Sequence, residues 1–592
     1  MLYNIKNRDI FPTFAHQKIK LKMKIDFSPK IVSGLKNYST KTLTQDVMAG
    51  IIVGIVAIPL AIAFGIASGV GPTEGLVTAI IAGLIISIFG GTKVQIGGPT
   101  GAFIVIIYGI IQQYGIGGLT IATIIAGFLL ILMGLFKLGT IIKFVPYPII
   151  VGFTGGIALT IFSTQINDLF GLGIQNIPSD FIGKWVCYFQ NFNHIDWWTF
   201  GIGALSLIVI IVTPFLSKKI PGSLVAIIIA TIVTYILKNS VGVESIKTIG
   251  DLYELPTGIP TPRLPELDIT DGGRVFDMIQ TLFPAAFTIA ILGAIESLLS
   301  AMVADGVIGD KHNSNTELIA QGMANVITPF FGGIPATGAI ARTMTNINNG
   351  GKTPIAGVIH AFVLLLVLLF LGKFVGLIPM PCLAGILIVV SYNMSGWRSF
   401  VSLSKSPKSD FSVLMVTFLL TVIFNLTIAI EFGLLLAVIL FLRRTAETSS
   451  IREFHNEIDP RDSSDFKLQN NESLIIPEGV SVYEIDGPYF FGIANKFDEL
   501  AMQITENPKV RIIRMRKVPF IDSTGIHNLE TLCAQSKMNG IQIVLSGVNP
   551  HVYKTLTKAR FVGRVLEEKN ICSNINDALV RAQQYISEES KA

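Results

Sequence analysis

Long apolar runs fill the chain from about residue 45 to 445, and polar positions inside them are scarce enough to be read one at a time. A hydrocarbon core about 30 Å thick takes roughly 20 apolar residues per helix. Runs that meet or approach this length fall near 46–68, 75–91, 117–136, 144–166, 197–216, 221–237, 279–304, 317–331, 354–375, 378–393, 410–426 and 428–443. Two stretches rich in glycine and proline interrupt the pattern, Gln95 to Phe103 (QIGGPTGAF) and Phe331 to Arg342 (FGGIPATGAIAR). A shorter helix is predicted after each, near 99–113 and 336–347, which brings the membrane segments to fourteen. Backbone freed by such breaks is tolerated at membrane depth only where protein or a water-lined cavity satisfies it, so the pair of breaks points to a binding site.

The breaks are also related to each other. Moving the chain by 237 residues carries Thr100-Gly101-Ala102 onto Thr337-Gly338-Ala339, Ala57-Ile58 onto Ala294-Ile295, and Gly69 onto Gly306. A second pattern, Pro-x-Pro-x-x-x-Gly, recurs at Pro146 and Pro379 with a shift of 233. Seven segments per copy is an odd number, so the second copy enters the membrane from the opposite side. The expected architecture is two inverted repeats, about 46–237 and 279–443, with a midplane site at discontinuous helices.

Beyond residue 445 the pattern changes to that of a soluble domain. A charged linker over 446–475 leads to strands at Val480–Asp486, Val510–Val518 and Ile541–Val548. These alternate with helices at Ala494–Ile504, Thr524–Met538, Val552–Ala559 and Ile575–Ile586, an α/β arrangement over 476–588.

Composition sharpens the picture without changing it: of 592 residues, 51% are hydrophobic and 14% charged, well under the roughly 25% charged of soluble domains. The arm over 1–45 carries nine Lys or Arg against Asp9 and Asp26, which places it in the cytoplasm beside lipid headgroups. An even segment count then puts the C-terminus in the cytoplasm too, with the cell's inner (plasma) membrane as the location. Lys137, Lys143, Lys218, Lys219, Arg398, Lys405 and Lys408 fall in loops assigned to the same side. An apolar helix follows the basic arm at once, which argues against a nucleic-acid partner. Cys187, Cys382, Cys533 and Cys572 have neither metal-ligand spacing nor a disulfide framework, and no nucleophile elbow or phosphate-cradling loop appears, so no enzyme activity is expected.

Several motifs resemble those of the SulP anion permeases, a family with a C-terminal STAS domain: Glu296 to Ala301, Glu317 to Asn325, Gly338 to Thr343 with Asn346, and Asp522 to Gly525. The resemblance covers about residues 40 to 588. It implies an α-helical polytopic membrane protein of fourteen segments in two inverted repeats, the α/β STAS domain, and a homodimer. It further implies transport of small anions, sulfate first, with bicarbonate or a C4-dicarboxylate as alternatives. Readings of another class are a nucleobase permease and a transporter-derived sensor whose output is the STAS domain.

The site chemistry follows from helix ends. A helix starting at membrane depth leaves its first N–H groups unpaired and carries about half a positive charge there. Two such ends pointing at each other form an anion site without metal or cofactor. Thr100, Gly101 and Ala102 are assigned to one wall, and Gly338, Ala339 and Ile340 to the other; the resemblance adds Ala61 and Phe64 of the first helix. Arg342, one turn past Gly338, adds a formal charge, with reach to the cytoplasmic headgroups or pairing to an acid as its structural alternative. Glu296 lies in an apolar helix and is expected to be neutral or matched by a cation. That makes it the proton-coupling group, or part of a cation site with Ser300, or a structural partner of Arg342. Sodium-coupled members are similar but typically have Asp where this chain has Glu296 and Thr near Ile340, which favours protons here. Glu431 and His360 are read as snorkelled or packed. In the tail, Asp522 and Ser523 open a helix as a cap; the segment also resembles the loop that STAS-type signalling proteins phosphorylate on serine, which implies Ser523 as a candidate regulatory phosphosite and a regulatory partner of the STAS domain.

Overall fold

The computed structural model describes residues 27–36, 38–140, 146–174, 177–178, 180–216, 221–253, 258–262, 272–424, 426–454, 457–458, 474–492 and 508–589. The basic residues before Lys30, together with Lys143, Lys218, Lys219 and the helix expected at 494–504, lie outside them. Two compact units divide the chain, one through Leu434 and one from Leu435.

The first unit is helical. Eight helices among the described residues are long and apolar enough to cross a membrane. In chain order its main elements are α1 (Thr40–Ala67), α2 (Pro72–Phe89), β1 (Gly97–Gly98), α3 (Ile104–Leu135), α4 (Tyr147–Thr164), α5 (Phe181–Asn191), α6 (Trp197–Leu216) and α7 (Gly222–Ile236). They continue with α8 (Gly272–Ile308), α9 (Ser314–Ile327), β2 (Thr337–Gly338), α10 (Ile340–Asn348), α11 (Ile355–Phe370), α12 (Met380–Met394), α13 (Lys408–Ile423) and α14 (Leu426–Thr448), which reaches into the second unit. The long α3 is two segments, because Gly115 turns the chain at φ 68°, a conformation that costs glycine little. This matches the separate runs read near 99–113 and 117–136.

Small residues let these helices approach closely, as membrane packing requires where no hydrophobic drive exists between helices. A Cβ on Gly127 of α3 would lie 2.8 Å from the Gly322 carbonyl of α9, and one on Gly54 of α1 would lie 2.8 Å from Val363 of α11. Large side chains on α6 and α11, including Ile208, Phe215 and Phe362, stay exposed, as a surface against lipid tails demands.

The second unit holds a five-stranded sheet in the order β3 (Ser450–Phe454), β4 (Val480–Asp486), β5 (Val510–Lys517), β6 (Gln542–Ser546) and β7 (Ile571–Cys572). Strands β4 to β7 are parallel and β3 is antiparallel. Both faces are buried: Ile513 and Leu545 pack with Leu529 of α15 (Ser523–Met538) and Leu556 of α16 (Pro550–Lys558), while Ile512 and Val544 pack with Ala578 of α17 (Ile575–Glu589). That accounts for the near-continuous apolar strands. Residues 450–454, read as linker, form the edge strand instead; only five residues long and half polar, they carry too little alternation to stand out.

Candidate functional site

The two breaks meet. Gly97 pairs with Gly338 and Gly98 with Thr337 in a two-residue antiparallel ladder. Because the strands are antiparallel and each leads into a helix, α3 and α10 leave the ladder in opposite directions, with both N-termini beside it. Freed backbone is satisfied by protein: the Ala339 N–H donates to the Ile96 carbonyl at 2.9 Å and the Ile96 N–H to Thr343 Oγ1 at 3.1 Å. Asn325 bonds both the N–H and the carbonyl of Ala336, at 2.9 and 2.8 Å, and Asn346 Nδ2 donates to the Val94 carbonyl at 2.8 Å.

Thr100, Gly101 and Ala102, expected at a helix start, lie at one: Gly101 and Ala102 open a 3₁₀ turn, Gly101–Phe103, which Thr100 caps. Against this turn lies Phe64: a Cβ on Gly101 would sit 3.4 Å from its ring and 3.0 Å from Met394 Sδ. Ala61 is buried one turn earlier on α1, its carbonyl against Gly75 of α2. The other wall is shifted from the expected position. The Gly338 N–H donates to Ser297 Oγ at 3.1 Å and the Ala339 N–H is spent on Ile96, so the helix proper begins at Ile340. Gly338 serves closeness instead, since a Cβ there would overlap the Gln95 amide.

Arg342 is 2% exposed and reaches back to the first break. Its Nη2 donates to the Pro99 carbonyl at 2.6 Å, and Nη1 occupies the space a side chain on Gly98 would need. Nη1 has no hydrogen-bond partner, and no carboxylate lies within ion-pair distance among the described residues. The structural pairing of Arg342 with Glu296 is therefore not formed. Instead the Glu296 carboxyl accepts from Thr337 Oγ1 at 3.1 Å. Thr337 is the counterpart of Thr100 under the shift of 237, and the carboxyl is tied to the second break. Ser300 is not brought to Glu296 by a hydrogen bond; its hydroxyl donates to Thr343 Oγ1 at 3.2 Å and supports the start of α10.

Three residues that sequence reasoning left without a role complete the site. Ser297 receives Gly338, Gln95 donates to the Ser297 carbonyl at 3.3 Å, and Glu317 holds Gln95 at 3.1 Å. Glu317 also accepts from the Gly91 N–H, Thr92 and Gln321 at 2.8 to 3.0 Å. For Ser297 and Glu317 the available signal is a polar side chain within a helix, and for Gln95 its place at the start of the first break. His360 is fully buried within α11, packed rather than snorkelled, and Glu431 is exposed. In the second unit Asp522 caps α15 by accepting from the Gly525 N–H at 2.8 Å, and Ser523 is exposed at the first helical position.

A helical membrane unit with two broken segments meeting at a buried arginine, followed by a small α/β unit, defines a class of membrane transporter. Residues 43–417 match the model of the Sulfate permease family and residues 473–578 that of the STAS domain; the chain belongs to the sulfate permease family. It is 41% identical to the "Putative sulfate transporter YvdB" of Bacillus subtilis (strain 168), over 88% of this chain and 95% of that one. The solved transmembrane domain of a cyanobacterial bicarbonate transporter, BicA, is 30% identical and covers 68% of this chain and 98% of its own, with a TM-score of 0.58. The structure of the murine Solute Carrier 26 family member A9 anion transporter shares the fold over 99% of this chain and 100% of its own, at a TM-score of 0.81 and 18% identity. These relatives carry the names of transporters, in keeping with a chain that is a polytopic membrane protein and not an enzyme.

Proposed function

We propose that the protein is a secondary active transporter of small inorganic anions, sulfate first, working by alternating access and coupled to protons. The observation that carries this reading is the convergence of two helix N-termini and the Arg342 guanidinium on one ladder, with Glu296 bonded to Thr337 of the second break. Positive helix ends and an arginine without a carboxylate partner attract an anion. Protonation of Glu296 removes the opposing charge, so proton and anion binding favour each other, and linkage makes the effect reciprocal. The 41% identity to a relative bearing a sulfate transporter's name supports sulfate. We place the protein in the plasma membrane with both termini cytoplasmic, as a homodimer, with the STAS domain as the regulatory unit and Ser523 as its phosphosite.

Uptake of labelled sulfate into proteoliposomes under an imposed pH gradient tests the reading. Saturable, gradient-driven uptake is expected, and Glu296→Gln should keep sulfate binding while losing the gradient dependence. Unchanged dependence in that variant would remove Glu296 from coupling. The 30% identity to BicA favours a second reading, bicarbonate driven by sodium or protons; a flux that bicarbonate, but not sulfate, competes away would select it.

A further inference from the structure

A cavity of about 140 Å³ near the paired breaks is lined by α1, α3, the end of α4, the short helix Ile166–Phe170, α5 and α12. Three helices that frame the break also frame the cavity. Ala67 follows Phe64 on α1 by almost one turn, Tyr108 follows Gly101 by about two, and Leu387 precedes Met394 on α12 by about two. All three displacements run toward the face that carries α5, opposite the side on which α1 begins. The cavity thus lies on the α5 side of the breaks.

Its polar groups are not those of ordinary helix packing. Lys184 of α5 lines it, is 4% exposed, and has no hydrogen-bond or ion-pair partner for its ammonium among the described residues. Burial pulls the Lys184 pKa down from its ordinary value, against the Asp180 carboxylate nearby. Tyr188, one turn along the same helix, is 1% exposed, and its hydroxyl has no partner. Gln165 adds an amide that donates to Thr164 at 2.8 Å, and Asp168 adds a carboxylate that accepts weakly from Asn167 at 3.4 Å. A buried ammonium and phenol without partners are costly unless a ligand completes their bonding.

We propose that this cavity is a second anion site on the outer half of the route, where the Lys184 ammonium and the Tyr188 hydroxyl hold a small inorganic anion before it reaches the breaks. Asp168 has the complementary part. Its charge in the same cavity keeps the anion weakly bound, and passage requires a site strong enough to fill but weak enough to empty. The kinetic consequence rests on the transport reading above; the binding consequence does not.

Bromide reports the site whatever anion is carried. Crystals of the full chain soaked in bromide should show anomalous density within hydrogen-bond reach of Lys184 Nζ and Tyr188 Oη, lost in Lys184→Met and kept in Glu296→Gln. No density at that position in the unmodified chain, or density that survives Lys184→Met, overturns the proposal. In proteoliposomes, Lys184→Met should raise the KM for sulfate offered at the outer face about tenfold, the loss of one charge-assisted hydrogen bond, with the maximal rate unchanged. Lys184→Arg should restore the KM and Asp168→Asn should lower it. A KM that moves in neither Lys184→Met nor Asp168→Asn overturns the kinetic role even where transport is normal. Absence of sulfate flux in the unmodified chain would count against the transport reading alone, and the bromide result would still decide the site.

Discussion

Arg342 and Gly98 form one device. The guanidinium reaches the first break only because position 98 has no side chain, and the φ of 152° at Gly98 is one that side chains rarely adopt. Gly98→Ala therefore both strains the ladder and pushes Nη1 away, breaking the bond to Pro99. Hydrogen bonds to charged groups contribute about 1.5–3 kcal/mol, so the KM for the anion should rise roughly ten- to a hundredfold. Measured uptake kinetics with unchanged KM would dissociate Arg342 from the anion site. Arg342→Lys tests geometry rather than charge, because an ammonium lacks the planar fork that spans Pro99 while leaving a second donor free. The expected outcome is a similar loss with the net charge preserved.

At the scale of elements, the ladder is held from behind by α9. Glu317 accepts four donors, two from the segment entering the first break and two amides, Gln95 and Gln321. Glu317→Gln replaces one acceptor oxygen by a donor, which must then face another donor in a buried place. Each such unsatisfied group costs about 1–3 kcal/mol. The variant should lose several degrees of thermal stability in detergent and, because Gln95 sits against Gly338, also bind the anion more weakly. Stability lost with affinity intact would make Glu317 a packing residue only. This network also shows what could be read in advance. The breaks and their kinship were legible because Gly and Pro disrupt apolar runs visibly and recur at a fixed shift. Glu296 was legible because a lone carboxylate in such a run is conspicuous. The pairing of β1 with β2 was not, since two-residue strands have no periodicity. Nor was the capture of the Gly338 N–H by Ser297, because a serine in a helix that usually bonds its own backbone gives no sign of reaching another element.

For the whole molecule, the division into two units makes a distinct claim about stability. The membrane unit and the sheet unit have separate hydrophobic cores, those of the second being the two clusters on either face of its sheet. A ligand of the paired breaks then stabilises the first unit through its own binding, about 2.7 kcal/mol at a hundredfold excess over Kd. Asp522→Ala acts elsewhere. It removes the cap of α15 and the bond Asp522 accepts from the Phe491 N–H at 3.2 Å, costing the sheet unit about 1–2 kcal/mol. Thermal unfolding of the full chain should accordingly show two transitions, sulfate raising only one and Asp522→Ala lowering only the other. If a single transition moves with both, the units unfold together, and a signal at Ser523 would have a cooperative path to the anion site. With two independent transitions, phosphate at Ser523 would act on transport by changing what the STAS domain binds, because the stability of its fold would not be shared with the breaks.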